Sequence, residues 1–195
     1  KDCNTVFITL GMIEAWYDSE LECYLNQPPH PKVLRAFPER YYFKRMSVTE
    51  VLDEMSEAIT ILESQGITQI VVTTSPVALN RTFTEKDVIV ANCYSKSVLR
   101  VASEMLEEKF SSVTYFPSYE TIIYGDRNVT FQNDLIHASD FAVSKIIQEF
   151  VKRSTGVVNE NSVLDDSDNK VSDLYRLRKQ VDKYKNLLIK HGVDF

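Results

Sequence analysis

Apolar residues fall into short runs and spaced stripes along the chain, and their periods predict strands alternating with helices. Residues 5–11, TVFITLG, are nearly all apolar or β-branched and end in glycine. Such a run suits a strand covered on both faces, as in a parallel sheet. The glycine lets the backbone turn sharply, or approach a ligand, at the strand's carboxyl end. At Ser47 the period changes. Ser47 and Glu50 have the spacing of a capping box, in which each side chain satisfies a backbone N–H near the other. Val51, Leu52, Met55, Ala58, Ile59 and Leu62 then form one apolar stripe, and Gly66 stands where a helix-ending glycine belongs. Residues 67–74 predict a second buried strand, closed by Ser75 and Pro76, which completes a strand–helix–strand crossover.

A second helix is expected from Asn92 or Ser95, with Val98, Leu99, Ala102, Met105 and Leu106 on its buried side. Residues 113–116 predict a third strand, stopped by Pro117. Ser139 is placed to cap a third helix whose apolar face is Val143, Ile146, Ile147, Phe150 and Val151. This alternation gives an α/β fold on a parallel sheet. Residues 12–46, rich in proline and carrying Trp16, Tyr17, Tyr41, Tyr42 and Phe43, read as a long irregular loop, and residues 76–91 as a second loop.

Beyond residue 153 the pattern changes again. Residues 154–171 are polar, with Asp165, Asp166 and Asp168 close together, and read as a linker. Leu174, Leu177, Val181, Tyr184 and Leu188 then recur at steps of three and four, a short heptad seam within residues 172–192. Such a helix is too short to be stable alone in water, so its apolar face must bury somewhere. Its own domain, a second copy of the chain in a homo-oligomer, or a neighbouring domain could each supply the surface.

Charge and cysteine content narrow the partners. The 195 residues carry a formal net charge of −6 without a dense Lys/Arg cluster, which disfavours nucleic acid and anionic membrane surfaces. No apolar run reaches membrane-spanning length and no signal peptide is evident. Cys3, Cys23 and Cys93 are scattered, as expected of reduced thiols in a cytoplasm. The chain begins with Lys1 and enters a strand almost at once, as a piece of a longer protein would.

Candidate chemistry centres on residues 131–139, FQNDLIHAS. Asp134 lies three residues ahead of His137, near enough to fold back on the imidazole. A carboxylate there fixes the tautomer and stabilises the imidazolium formed when the ring takes a proton. The same spacing also arises in purely structural turns. Topology favours chemistry, because open parallel sheets bind ligands beyond the carboxyl ends of their strands. Those ends are Gly11, the Thr74-Ser75-Pro76 turn and the segment Pro117 to Glu120, and the last leads by a loop to His137. No internal nucleophile convinces. Ser75 and Ser118 each adjoin a proline and lack the glycines of a nucleophile elbow. Cys93 stands near a helix start, where a thiolate could be stabilised, although an inert buried thiol is the simpler reading. His30 and His191 lie in the long loop and the tail, so no metal site is expected. Lys96 and Arg100, one helical turn apart, could hold an anion or form a salt-bridged face. Trp16 could stack on a sugar or pack under the loop.

Five segments read together are similar to the GSCFA family: TLGMIEAWYD (9–18), TTSPVALNRTF (73–83), ANCYSKSVLR (91–100), YFPSYE (115–120) and DLIHAS (134–139). That family is a branch of the SGNH/GDSL hydrolase-like proteins, associated with bacterial polysaccharide genes. The resemblance implies a three-layer flavodoxin-like sheet and serine-dependent acyl chemistry. The expected activity is that of an esterase or O-acyltransferase, with O-acetyl transfer foremost, acting on a polysaccharide or its precursor in a bacterial cytoplasm. It implies His137 as general base, Asp134 as its orienting partner, and Gly11 as a backbone donor to the oxyanion. The turn at Thr74 and Ser75 would stand where the superfamily usually places an oxyanion-hole asparagine. No cofactor is implied, beyond an acyl donor such as acetyl-CoA for a transferase. The Gly-Ser-Cys-Phe-Ala block that names the family and supplies its nucleophile is absent ahead of residue 5. The expectation is therefore a sheet lacking its first β–α unit and a serine outside this chain. A non-catalytic binding or scaffold module of a glycan-assembly protein remains the alternative.

Overall fold

In chain order the elements are β1 (Thr5–Leu10), β2 (Glu14–Asp18), β3 (Cys23–Leu25), α1 (Pro31–Ala36), β4 (Tyr41–Arg45), α2 (Val48–Ser64) and β5 (Gln69–Thr74). They continue with α3 (Val88–Lys109), β6 (Val113–Tyr115), α4 (Ser118–Ile123), α5 (Arg127–Thr130) and α6 (Asp140–Thr155). They are taken from a computed structural model, which describes residues 3–155. The linker beyond residue 155 and the expected heptad helix lie outside the described residues. The chain divides into two units, Lys1–Ile123 and Tyr124–Phe195.

The first unit is an α/β structure on a parallel sheet, consistent with the flavodoxin-like class expected. Strand order is β1-β5-β6, with Thr5 opposite Gln69, Leu10 opposite Thr74, and Ile70 opposite Val113. β5 is central, and five successive residues from Ile70 to Thr74 are buried. That is why it reads as a continuous β-branched run without alternation. On one face, Ile8, Leu10, Ile70, Val72 and Val113 pack against Leu52, Met55, Ile59 and Leu62 of α2 and Leu106 of α3. On the other, the hydroxyls of Thr73 and Ser118, from β5 and the start of α4, bond to each other.

The capping box forms as expected. The Ser47 N–H donates to Glu50 Oε2 at 2.8 Å, and the Glu50 N–H donates to Ser47 Oγ at 3.2 Å. Gly66 closes α2 at φ +86°, a conformation that favours glycine. α3 starts earlier than expected, because Asp87 Oδ1 accepts the Ile89 and Val90 N–H groups and caps it. Ile89 and Val90 are exposed, so they leave no trace in the buried periodicity.

Residues 12–46 are not irregular. They hold an antiparallel sheet of order β3-β2-β4, with Trp16 opposite Leu25 and Phe43, and Tyr17 opposite Tyr24 and Tyr42. Both faces carry aromatic residues, so no apolar–polar alternation marks the strands. Asp18, buried at the end of β2, locks the turn that follows. Its carboxylate accepts Arg40 Nε and Nη2 at 3.0 and 2.8 Å and the N–H groups of Glu20 and Leu21. The Arg40 bond, then the backbone donors, outweigh burial and hold the Asp18 carboxyl below its ordinary pKa.

In the second unit, Asp126 caps α5 through the Asn128 N–H. Ala142 is the buried residue of the start of α6, while Val143, Ile147 and Val151 of its expected apolar face are exposed.

Ile59, fully buried between α2 and the sheet, tests this packing. Ile59→Ala should cost about 2–5 kcal/mol in urea unfolding. Ile61→Ala, exposed on the same helix, should stay within about 0.5 kcal/mol. Equal losses at the two positions would contradict the assigned face.

Candidate active site

Parallel pairing makes β1 and β5 end together. Leu10 lies opposite Thr74, and the Ser75 N–H donates to Leu10 O at 2.8 Å, so Gly11 and Ser75 leave the sheet side by side. Gly11 does not lie in the left-handed region, and a Cβ built on it would meet nothing within 4 Å. Neither a sharp turn nor protein packing therefore requires glycine there. Of the two sequence-based reasons for it, close approach of a ligand is the one still open.

α3 grips the segment that follows. Lys96 Nζ donates to Gly11 O at 2.7 Å, and Ser95 Oγ accepts the Ile13 N–H at 3.2 Å. Lys96 is only 2% exposed, and burial pushes its ammonium down to about 8. Lys96 and Arg100 consequently do not form the anion-holding pair considered from sequence. Arg100 turns instead to Glu120 Oε1 at 2.8 Å and Glu104 Oε2 at 2.7 Å, with its guanidinium 4.0 Å over the Tyr115 ring. The Tyr115 phenol donates to Glu120 Oε2 at 2.8 Å. Burial, reinforced by that carboxylate, raises its pKa above the ordinary range.

The other candidates of this unit separate. Ser118 is buried, and its Oγ is engaged by the Thr73 hydroxyl and donates to Thr74 O at 3.3 Å, a satisfied structural serine. Ser75 Oγ accepts the Val77 N–H at 3.2 Å, which shapes the turn. Thr74 Oγ1 is buried without a hydrogen bond of proper geometry, the neighbouring Tyr115 phenol being turned to Glu120. Trp16 sits in an aromatic cluster, 5.6 Å from Phe83 and 5.9 Å from Phe43 between ring centres, with Nε1 buried and unbonded. Glu14 fixes the Phe83 loop above it by accepting the Thr82 hydroxyl at 2.5 Å and the Phe83 N–H at 2.9 Å. Cys93 is exposed and lies in the second turn of α3, not buried as an inert thiol would be.

Asp134 and His137 share one loop of the second unit. An antiparallel bridge between Phe131 and Ala138 closes it, and the Gln132 N–H donates to His137 O at 2.8 Å. Leu135 takes φ +57°, a conformation costing a leucine roughly 1–2 kcal/mol. The turn aims both groups of the next two residues at one carboxylate. Asp134 Oδ1 accepts the N–H groups of Ile136 at 2.9 Å and His137 at 3.0 Å, and Oδ2 lies 2.6 Å from His137 Nδ1. The imidazole bond first, then the two backbone donors, lower the Asp134 carboxyl from 3.8 to about 2. An ionised carboxylate only accepts, so the proton of this contact sits on Nδ1. Nε2 is left for other chemistry on a ring that is 52% exposed. Ser139, next along, caps α6 by accepting the Ala142 N–H at 3.1 Å.

Thus Gly11, Thr74 and Ser75 meet at one edge of the parallel sheet, Trp16 belongs to an aromatic cluster beside the small sheet, and Asp134 binds His137. Lys96 is the residue whose setting the sequence reading missed. The signal was present, since Lys96, Leu99, Ser103 and Leu106 follow steps of three and four and are all buried.

These features define an α/β protein with a parallel sheet and a loop presenting a carboxylate-bound histidine. The chain belongs to the GSCFA family, whose profile matches residues 1–150 and so spans all five segments singled out above. Neither the curated proteins nor the solved structures gave a significant match. Among the described residues, no helix is long and apolar enough to cross a membrane.

The lowered Asp134 carboxyl fixes a pH response. Its contribution to stability is present above the ordinary value of 3.8 and is lost as pH falls through about 2. The Asp134 carboxyl carbon should titrate in NMR with a midpoint near 2. A midpoint near 3.8 would contradict the hydrogen-bonded loop.

Proposed function

We propose that the protein is an SGNH-type esterase or O-acyltransferase of a glycan or its precursor, working in a bacterial cytoplasm. His137 is the general base and Asp134 the group that orients it. The observation that carries this reading is the 2.6 Å contact between His137 Nδ1 and a carboxylate that is also held by two backbone N–H groups. A carboxylate so fixed keeps the imidazole in one tautomer, with Nε2 as the basic nitrogen. In the reaction, a serine from outside this chain attacks the acyl carbonyl and gives its proton to Nε2. Backbone N–H groups near Gly11 hold the oxyanion. The imidazolium then protonates the departing alkoxide, and water or a sugar hydroxyl takes the acyl group from the serine. A transferase would draw its acyl group from a donor such as acetyl-CoA.

The test is made on the whole protein containing this chain, with 4-nitrophenyl acetate as substrate. His137→Ala should lower kcat by about four to six orders of magnitude, as loss of a triad member does, with only a small loss of thermal stability. Asp134→Asn should be milder but still severe. Activity within tenfold of wild type for His137→Ala would favour a binding or scaffold role instead.

A further inference from the structure

The peptide joining Gly11 to Met12 is held from one side only. Its carbonyl takes the Lys96 ammonium at 2.7 Å, and the lysine behind that bond is buried. All peptides of the described chain are trans, so the Met12 N–H points away from the carbonyl and hence away from Lys96. Among the described residues this N–H has no hydrogen-bond partner, on a residue that is 57% exposed. Beside it, a Cβ built on Gly11 would meet nothing within 4 Å beyond its chain neighbours. The next residue is fixed independently, since the Ile13 N–H is taken by Ser95 and the Met46 N–H donates to Ile13 O. A backbone donor has thus been aimed away from α3, at the carboxyl end of a strand, on an exposed residue.

The buried ammonium has no obvious structural reward. Burying a charge is costly unless it is paired, and Lys96 has a peptide oxygen where a carboxylate would stabilise it far better. A cation on a carbonyl oxygen draws electron density from the amide nitrogen and strengthens the N–H on the other side as a donor.

We infer that Lys96 is a positioning residue, which orients and polarises the Gly11–Met12 peptide so that the Met12 N–H receives the developing oxyanion of an acyl ester. This rests on the acyl-transfer reading above and names the donor for it. Lys96 itself touches no substrate. Ground-state binding gains little from such a donor, because charge on the carbonyl oxygen appears only as the tetrahedral intermediate forms.

Lys96→Met keeps length and burial and removes the charge. In the whole protein, with 4-nitrophenyl acetate, it should lower kcat about 10- to 100-fold. KM should stay within about threefold, because an interaction made only in the transition state affects kcat alone. A packing defect would instead lower the thermal midpoint, which should not fall here. A second measurement needs no variant to fold. In the wild-type chain, the Gly11 carbonyl carbon should move in NMR as Lys96 loses its proton, with a midpoint near 8. A Gly11 carbonyl that does not titrate there would overturn the contact with a charged lysine. Undiminished kcat in Lys96→Met, where His137→Ala abolishes turnover, would overturn this inference alone. Turnover surviving His137→Ala would remove the acyl-transfer reading and this inference with it.

Discussion

Strand β5 has a neighbour on both edges and cover on both faces, and the first unit is built to satisfy it. Its backbone groups are paired by β1 and β6, and its apolar side chains need a layer on each side. α2 and α3 supply one layer through Ile59 and Leu106, and the start of α4 reaches the other through Ser118. One consequence is geometric. Three parallel strands covered in this way must end at one edge, so Gly11, Ser75 and the segment after Tyr115 emerge together. At that edge the apolar pattern gives way to buried polar residues, Thr73, Thr74 and Ser118.

α3 serves two ends of this arrangement. Along one stripe it places Leu99 and Leu106 in the core. The same stripe, one turn earlier, brings Ser95 and Lys96 to the chain leaving β1. Core packing and backbone geometry beyond the sheet are therefore set by one rigid element. On its flank, Arg100 ties the helix to Glu120 on α4 and stacks on Tyr115 at the end of β6. A shift of α3 along its axis would disturb all of these at once.

What the sequence disclosed follows from how local each signal is. Buried parallel strands show as runs of β-branched residues, and β1, β5 and β6 fall within a residue or two of the expected spans. The capping box at Ser47 is written in four residues and forms as written. The small antiparallel sheet escaped because β3 has three residues and β2 and β4 five each, and because the pairing of β2 with β4 joins residues more than twenty positions apart. Neither face of it is polar throughout, so period-two reading has nothing to detect.

The candidate site divides the same way. Asp134 and His137 are three residues apart, and a single turn at Leu135 brings them together, so their pairing was legible. The bond between Lys96 and Gly11 spans 85 positions, and only the packing of α3 on the sheet reveals it. Long-range proton–nitrogen correlation on the His137 ring, at mildly alkaline pH, bears most directly on the central assignment. A neutral ring with its proton on Nδ1 and a bare Nε2 is the predicted result. A proton on Nε2, with Nδ1 bare, would contradict a carboxylate-oriented base.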